Sequence, residues 1–206
     1  MILEMRTYNC VPGGAQELIR MLNQAYRVRA KYSSVAGFWS TDIGPLHQVV
    51  HIWPYESPND RLRIRRAAAA DPEWPPAGTD ECIIDMQSEI FLPLSIGPPL
   101  PAGKYGPVYE MRTYTIKNRS LSEMEQRLAP ALVERVKLSP LLLAMISENG
   151  RLNRFVHIWP YQSMQHRDDV RAKAEAAGIW PPKGVRQFSI RQENKILRPA
   201  PFSPWQ

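Results

Sequence analysis

The sequence predicts an α+β fold built from two tandem copies of one βαββαβ unit, packed sheet to sheet within a single chain. Three observations carry that prediction. Glu4-Met5-Arg6-Thr7-Tyr8 returns as Glu110-Met111-Arg112-Thr113-Tyr114, His51-Ile52-Trp53-Pro54-Tyr55 as His157-Ile158-Trp159-Pro160-Tyr161, and Trp74-Pro75-Pro76 as Trp180-Pro181-Pro182. The spacing is constant, since 110 minus 4, 157 minus 51 and 180 minus 74 all give 106. Internal repeats of this kind fix the architecture before any single element is read.

Each element follows from local chemistry. Ile2 to Tyr8 alternates apolar and polar residues, the period of a strand, and stops at Pro12-Gly13-Gly14. Ala15, Leu18, Ile19, Leu22 and Tyr26 then fall at helical spacing. In the second copy Ser120 and Glu123 form a capping-box pattern, and Pro130 is expected to kink or shorten that helix. Two strands follow, near Val35 to Asp42 and Leu46 to Trp53, turning at Gly44; the matching turn, Asn149-Gly150, is a hairpin signal. Ser57 with Pro58 reads as a helix cap with a first-turn proline, and Pro72 ends that helix. The last strand is placed near Glu81 to Phe91, matching Phe188 to Leu197.

This order is the ferredoxin-like unit. Residues 1–93 form the first repeat, 94–106 a Gly/Pro-rich linker, 107–199 the second repeat and 200–206 a C-terminal tail. Two helices cover one sheet face, and the other face needs a partner. The duplicate supplies it, so the barrel forms within one chain and leaves its outer surfaces available for homo-oligomerisation.

Strand parity selects the candidate site. Leu3, Met5 and Thr7 point one way and Glu4, Arg6 and Tyr8 the other; Val50 and Ile52 oppose Val49, His51 and Trp53. The first and third strands are expected to lie side by side and parallel. With the apolar sets placed under the helices, Glu4, Arg6, Tyr8, His51 and Trp53, together with Glu110, Arg112, Tyr114, His157 and Trp159, would line the space between the sheets. Enclosed charge must be paired, and Glu4 with Arg6, or each with its counterpart across the interface, is the natural pairing. On the functional reading this space is a cavity for a small, partly apolar metabolite, with His51 and His157 as acid or base near neutral pH. On the bland reading the same residues are a satisfied polar network that fixes the register, and the protein is a scaffold or interaction module.

Other features carry less. Tyr55 and Tyr161 cover a helix start or reach a ligand, and Trp74 and Trp180 plug the end of the core. Arg61, Arg65, Arg167 and Arg171 read as a solvated helical face, with surface pairs worth about 0.3–0.5 kcal/mol each. His47 and His166, matched by Asn153 and Asp60, receive no role. Cys10 and Cys82 have Ile116 and Phe188 as counterparts, which argues against a required disulfide or metal site and suits a reducing cytoplasm. The formal charge of +6 is concentrated on the second helices without interleaved aromatics, so neither nucleic acid nor membrane is expected as a partner. No leader or apolar span is read in the chain, and no phosphate-cradling or zinc motif occurs in it.

The motifs Tyr109-Glu110-Met111-Arg112-Thr113-Tyr114 and His51-Ile52-Trp53-Pro54-Tyr55-Glu56-Ser57, followed by Arg61, Arg65 and Asp71-Pro72-Glu73-Trp74, resemble those of the NIPSNAP family. The resemblance covers both halves. It implies a dimeric α/β-barrel fold and an activity that is poorly defined. The wider superfamily holds cofactor-free monooxygenases, haem-dependent enzymes and binding proteins. By that analogy the expectation is oxygenase-like chemistry without a cofactor, with haem held by one histidine as the lesser reading.

Overall fold

The computed structural model describes residues 1–206. The first repeat comprises β1 (Ile2–Cys10), α1 (Gly14–Ala30), β2 (Gly37–Ile43), β3 (Gln48–Tyr55), α2 (Pro58–Ala69) and β4 (Ile83–Pro93). The second comprises β5 (Val108–Ile116), α3 (Leu121–Arg135), β6 (Leu143–Asn149), β7 (Arg154–Tyr161), α4 (Met164–Ala176) and β8 (Ser189–Pro199). Short 3-10 turns, Thr79–Cys82 and Val185–Phe188, precede the last strands, so β4 and β8 begin later and run further than expected. Ser57 does cap α2, accepting from the Asp60 amide at 3.1 Å. Ser120 does not cap α3; its hydroxyl turns back to donate to the Lys117 carbonyl at 2.6 Å. Helix α3 continues through Pro130, two residues shorter than α1. Both hairpins close with four-residue loops, 44–47 and 150–153, rather than a two-residue turn. Each loop ends on a residue in the left-handed region, His47 (φ 53°) and Asn153 (φ 57°), which accounts for the otherwise unassigned His47.

The eight strands close into one barrel in the order β1-β3-β2-β8-β5-β7-β6-β4. β1 and β3 are neighbours as expected but antiparallel, because the β2–β3 hairpin reverses the chain after the α1 crossover. The seams are made by exchange: β4 of the first repeat pairs with β6 of the second, and β8 of the second with β2 of the first. Linker and tail cover the barrel together. The Trp205 indole, buried against Trp39, donates to the Leu100 and Pro101 carbonyls, and the Gln206 carbonyl accepts from the Tyr105 and Gly106 amides.

The barrel interior is filled. Leu3, Met5, Val50, Ile52 and Phe91 of the first repeat meet Tyr109, Met111, Val156, Ile158 and Leu197 of the second in one apolar cluster. Two further clusters, one per repeat, lie between sheet and helices: Leu18, Leu22, Phe38 and Val49 with Trp53 in the first, and Met124, Leu128 and Phe155 with Trp159 in the second. The parity of the strands is therefore as expected, but the faces are interchanged. The apolar set points into the barrel and the charged set lies beneath the helices, so the expected site between the sheets is not there. The physical reason is enclosure. The inside of a closed eight-stranded barrel excludes water more completely than a two-helix cover, and on the helix side α2 and α4 add further arginines to the strand's own to neutralise the buried glutamate.

Candidate functional site

Glu4 sits on β1 with its side chain fully buried. Its Oε1 accepts from Arg6 at 2.9 Å, from Arg61 of α2 at 2.6 Å and from the Ser88 hydroxyl of β4 at 2.6 Å, and Arg65 of α2 approaches Oε2 at 3.6 Å. The second repeat repeats this around Glu110, with Arg112 at 2.9 Å, Arg167 at 2.7 Å, Asn194 at 3.4 Å and Arg171 at 3.6 Å. The expected Glu4–Arg6 pair is present. The helix arginines, taken from sequence as a solvated face, instead close each glutamate site from above. Burial works to raise the Glu4 carboxyl, but the Arg61 and Ser88 hydrogen bonds and the cations of Arg65 and Arg6 prevail and hold it at about 2.

Beside this cluster, the Trp53 indole donates to His51 Nδ1 at 2.6 Å, and Trp159 does the same to His157. An indole N–H can only donate, so Nδ1 is the acceptor and the proton of the neutral ring is on Nε2. Both Nε2 atoms are buried without a hydrogen-bond partner. Burial, reinforced by the nearby arginines, pushes both histidines well below their ordinary range. They are neutral donors, which replaces the expected acid or base titrating near neutral pH.

The stacking partner of each histidine comes from a different strand. Phe38 of β2 lies 4.6 Å from the His51 ring, whereas Phe155 of β7 lies 4.9 Å from His157. At the repeat offset Phe38 corresponds to Ala144 and Phe155 to Val49, so a large and a small residue have changed places between neighbouring strands. The tyrosines are alike in both copies: Arg6 Nε donates to Tyr8 at 2.8 Å and Arg112 Nε to Tyr114 at 2.6 Å.

A pair of residues passed over in the sequence completes the arrangement. Arg29 of α1 and Arg135 of α3 are buried, lie 4.1 and 4.2 Å from the Trp53 and Trp159 rings, and donate to Tyr55 and Tyr161. Their recurrence at the 106-residue offset, each followed four residues on by serine (Ser33 and Ser139), was the available signal.

Between sheet and helices the first repeat holds a cavity of about 250 Å³. Arg6, Tyr8, Arg29, His51, Trp53 and Arg65 contribute to its wall, with apolar groups from α1, β2 and β4 and with Phe202 from the tail. The corresponding space in the second repeat is about 120 Å³; Arg112, Tyr114 and Arg171 line it, and His157, Trp159 and Arg135 do not. Trp180 explains part of the difference, packing 5.8 Å from Trp159 and 6.4 Å from His157. Trp74, its counterpart, packs against the first repeat's core as expected and also stands in the wall of the larger cavity. Glu4 and Glu110 lie behind the walls.

The family model described as NIPSNAP matches residues 3–98 and 109–204, both repeats. Among curated relatives, human Protein NipSnap homolog 3A is 26% identical over 208 residues, covering 98% of this chain and 84% of that protein. Among solved structures, an uncharacterized NIPSNAP-like domain protein from Burkholderia xenovorans is 39% identical over 48% of this chain and 90% of that one, with a TM-score of 0.46. A candidate monooxygenase from Lactobacillus acidophilus superposes with a TM-score of 0.65 over 97% of this chain and 93% of its own, at 10% identity, a likeness of fold alone. No helix is long and apolar enough to cross a membrane.

Proposed function

The chain belongs to the NIPSNAP family, and from that premise and the geometry of its first repeat we propose that it binds a small, partly apolar metabolite between the first sheet and its helices. The observation that carries this reading is the cavity of about 250 Å³ whose wall includes His51, a buried histidine with an unpartnered Nε2. For scale, an engineered apolar cavity of about 150 Å³ takes up benzene. The first repeat exceeds that mark and the second falls short of it. A buried donor without a partner costs free energy that an acceptor atom on a ligand offsets.

On this reading His51 donates to a ligand oxygen. Accepting a proton at Nδ1 would break its 2.6 Å bond from Trp53. A fixed donor among guanidinium groups suits an oxygen that gains negative charge, as in enolisation or in cofactor-free oxygenation of an electron-rich ring. The test is native mass spectrometry of protein purified from cell extract. A small molecule should be retained near one per chain, lost in His51→Gln and kept in His157→Gln, with both variants folded by circular dichroism. Equal retention in His51→Gln, or no retained molecule, would overturn the reading.

The rival reading, a scaffold, is favoured by one observation. Leu46 and Leu152 at the hairpin tips, and Ile84 and Ile190 on the last strands, are exposed at matching positions of both repeats. It predicts partner contacts that Leu46→Ser with Leu152→Ser removes and His51→Gln does not.

A further inference from the structure

Resting on that reading of the first-repeat cavity, we propose that its ligand is a small organic monoanion, a carboxylate on a single ring or a short branched chain, held through Arg29 and Arg65. The argument begins with charge. Glu4 is already engaged by Arg6, Arg61 and Ser88 through one oxygen. Arg65 stands at 3.6 Å from the other oxygen with 36% of its side chain exposed, and retains donors for a further partner.

Arg29 is the stronger indication. It is 4% exposed, and its hydrogen bonds go to neutral groups only: the Ser33 carbonyl at 3.2 Å, the Ser33 hydroxyl at 2.9 Å and the Tyr55 hydroxyl at 3.4 Å. A buried guanidinium without a carboxylate is costly, and it borders an open cavity. A ligand carboxylate supplies the missing charge, and guanidinium is the side chain suited to grip it through paired hydrogen bonds. The unpartnered His51 Nε2–H is a donor in the same wall.

The remaining wall sets the body of the ligand and its total charge. Leu18, Leu22, Phe38, Ile83, Met86 and Phe202 are apolar and fit a ring or branched chain. Asp80 lines the same cavity, and the Glu4 carboxylate lies behind it, so a phosphate dianion would meet two negative charges. The second repeat is an internal control. Arg135 has the same kind of neutral partners, Ser139 and Tyr161, yet takes no part in the wall of the second repeat's cavity. What sets the first repeat apart is the meeting of an unneutralised buried cation with open space.

The experiment uses the full chain and a matched pair, phenylacetate and the isosteric neutral phenylacetamide, with inorganic phosphate as a third probe. Each is titrated by calorimetry into the parent protein, Arg65→Gln and its counterpart Arg171→Gln. Molecules released from the native protein are identified by mass spectrometry. Phenylacetate should bind roughly tenfold or more tightly than the amide, the scale of one charged hydrogen bond. That preference should shrink toward parity in Arg65→Gln and persist in Arg171→Gln, and phosphate should not compete. Equal or tighter binding of the amide, competition by phosphate, or loss of the preference only in Arg171→Gln would overturn the monoanion while leaving a binding cavity in place. If neither compound binds, an acidic released molecule supports the class, a neutral one refutes it alone, and no released molecule refutes the binding reading as well.

Discussion

The two repeats set the same three arginines around their glutamates and differ most in the space beside them. In the first, His51 and Arg29 border a cavity of about 250 Å³; in the second, His157 and Arg135 are shut away and about 120 Å³ is left. The shared part, a buried glutamate held by three arginines, therefore holds sheet to helix in both copies. The unshared part is the open space that the proposed ligand would occupy. Residues that match at the repeat offset are not for that reason functionally equivalent: a side chain's neighbours, not its identity, decide whether it faces open space.

The largest test of the shared part is Glu4→Gln against Glu110→Gln. Each removes a fully buried carboxylate from among arginines, and each should lower unfolding free energy by about 3–5 kcal/mol in urea titrations, nearer 3 because Arg61 and Arg65 are partly exposed. A loss below about 1 kcal/mol in both would show that the clusters do not hold the helices.

Acid stability is the next largest effect. The Glu4 pKa is depressed in the folded state, from an ordinary 4.5 to about 2. Its contribution is fully present above pH 4.5 and lost as pH falls toward 2, on the order of 3 kcal/mol. The histidines are bases depressed by burial, so the folded state binds fewer protons than the unfolded one. Their contribution is present above about 6.5 and declines below it. Stability measured against pH should therefore begin to fall below about 6.5 and fall further below 4.5. Glu4→Gln should flatten the lower limb, and His51→Gln with His157→Gln the upper one.

Phe155→Val, which restores the residue found at position 49, sharpens the comparison of cavities. It should cost about 2 kcal/mol, less than full truncation to alanine, and open the second cavity so that His157 joins its wall in a crystal structure. If Trp180 closes the gap instead, the smaller cavity is set by the tryptophan and not by the interchange of large and small residues. The smallest effect separates Ser88→Ala from Asn194→Ala. The 2.6 Å bond to Glu4 should be worth about 1.5 kcal/mol, and the 3.4 Å contact to Glu110 about 0.5 kcal/mol or less.

Much of the fold was legible because the duplication checks itself: one offset relates three motifs, and β1, α1 and the β2–β3 hairpin each have a second copy to confirm them. Parity was legible too, since Glu4, Arg6 and Tyr8 must share a face. Which face was not, because both sides of β1 are buried, and a rule that puts apolar residues under helices does not see a barrel interior that is drier still. The correcting signal lay in α2 and α4. A helix reading Pro-Asn-Asp-Arg-Leu-Arg-Ile-Arg-Arg has little apolar surface to dock with, and Arg61 and Arg65 recur as Arg167 and Arg171. Such a helix docks through charge, and the glutamates of β1 and β5 are the charges it meets. Cavity size was beyond the sequence, since it turns on how Trp74, Trp180, Val49 and Phe155 pack across elements distant in the chain.

The exchange of strands at the seams has one more consequence. Phe202, which follows the last strand of the second repeat, packs on Phe38 and Tyr26 of the first, so one repeat's pocket is finished by the other's tail. In a dimer of identical single-repeat chains, any substitution at such a seam would appear twice, once at each equivalent site. Fusion removes that symmetry. A mutation can close one pocket while the other keeps its shape, and a closed second copy still lends the first its Phe202.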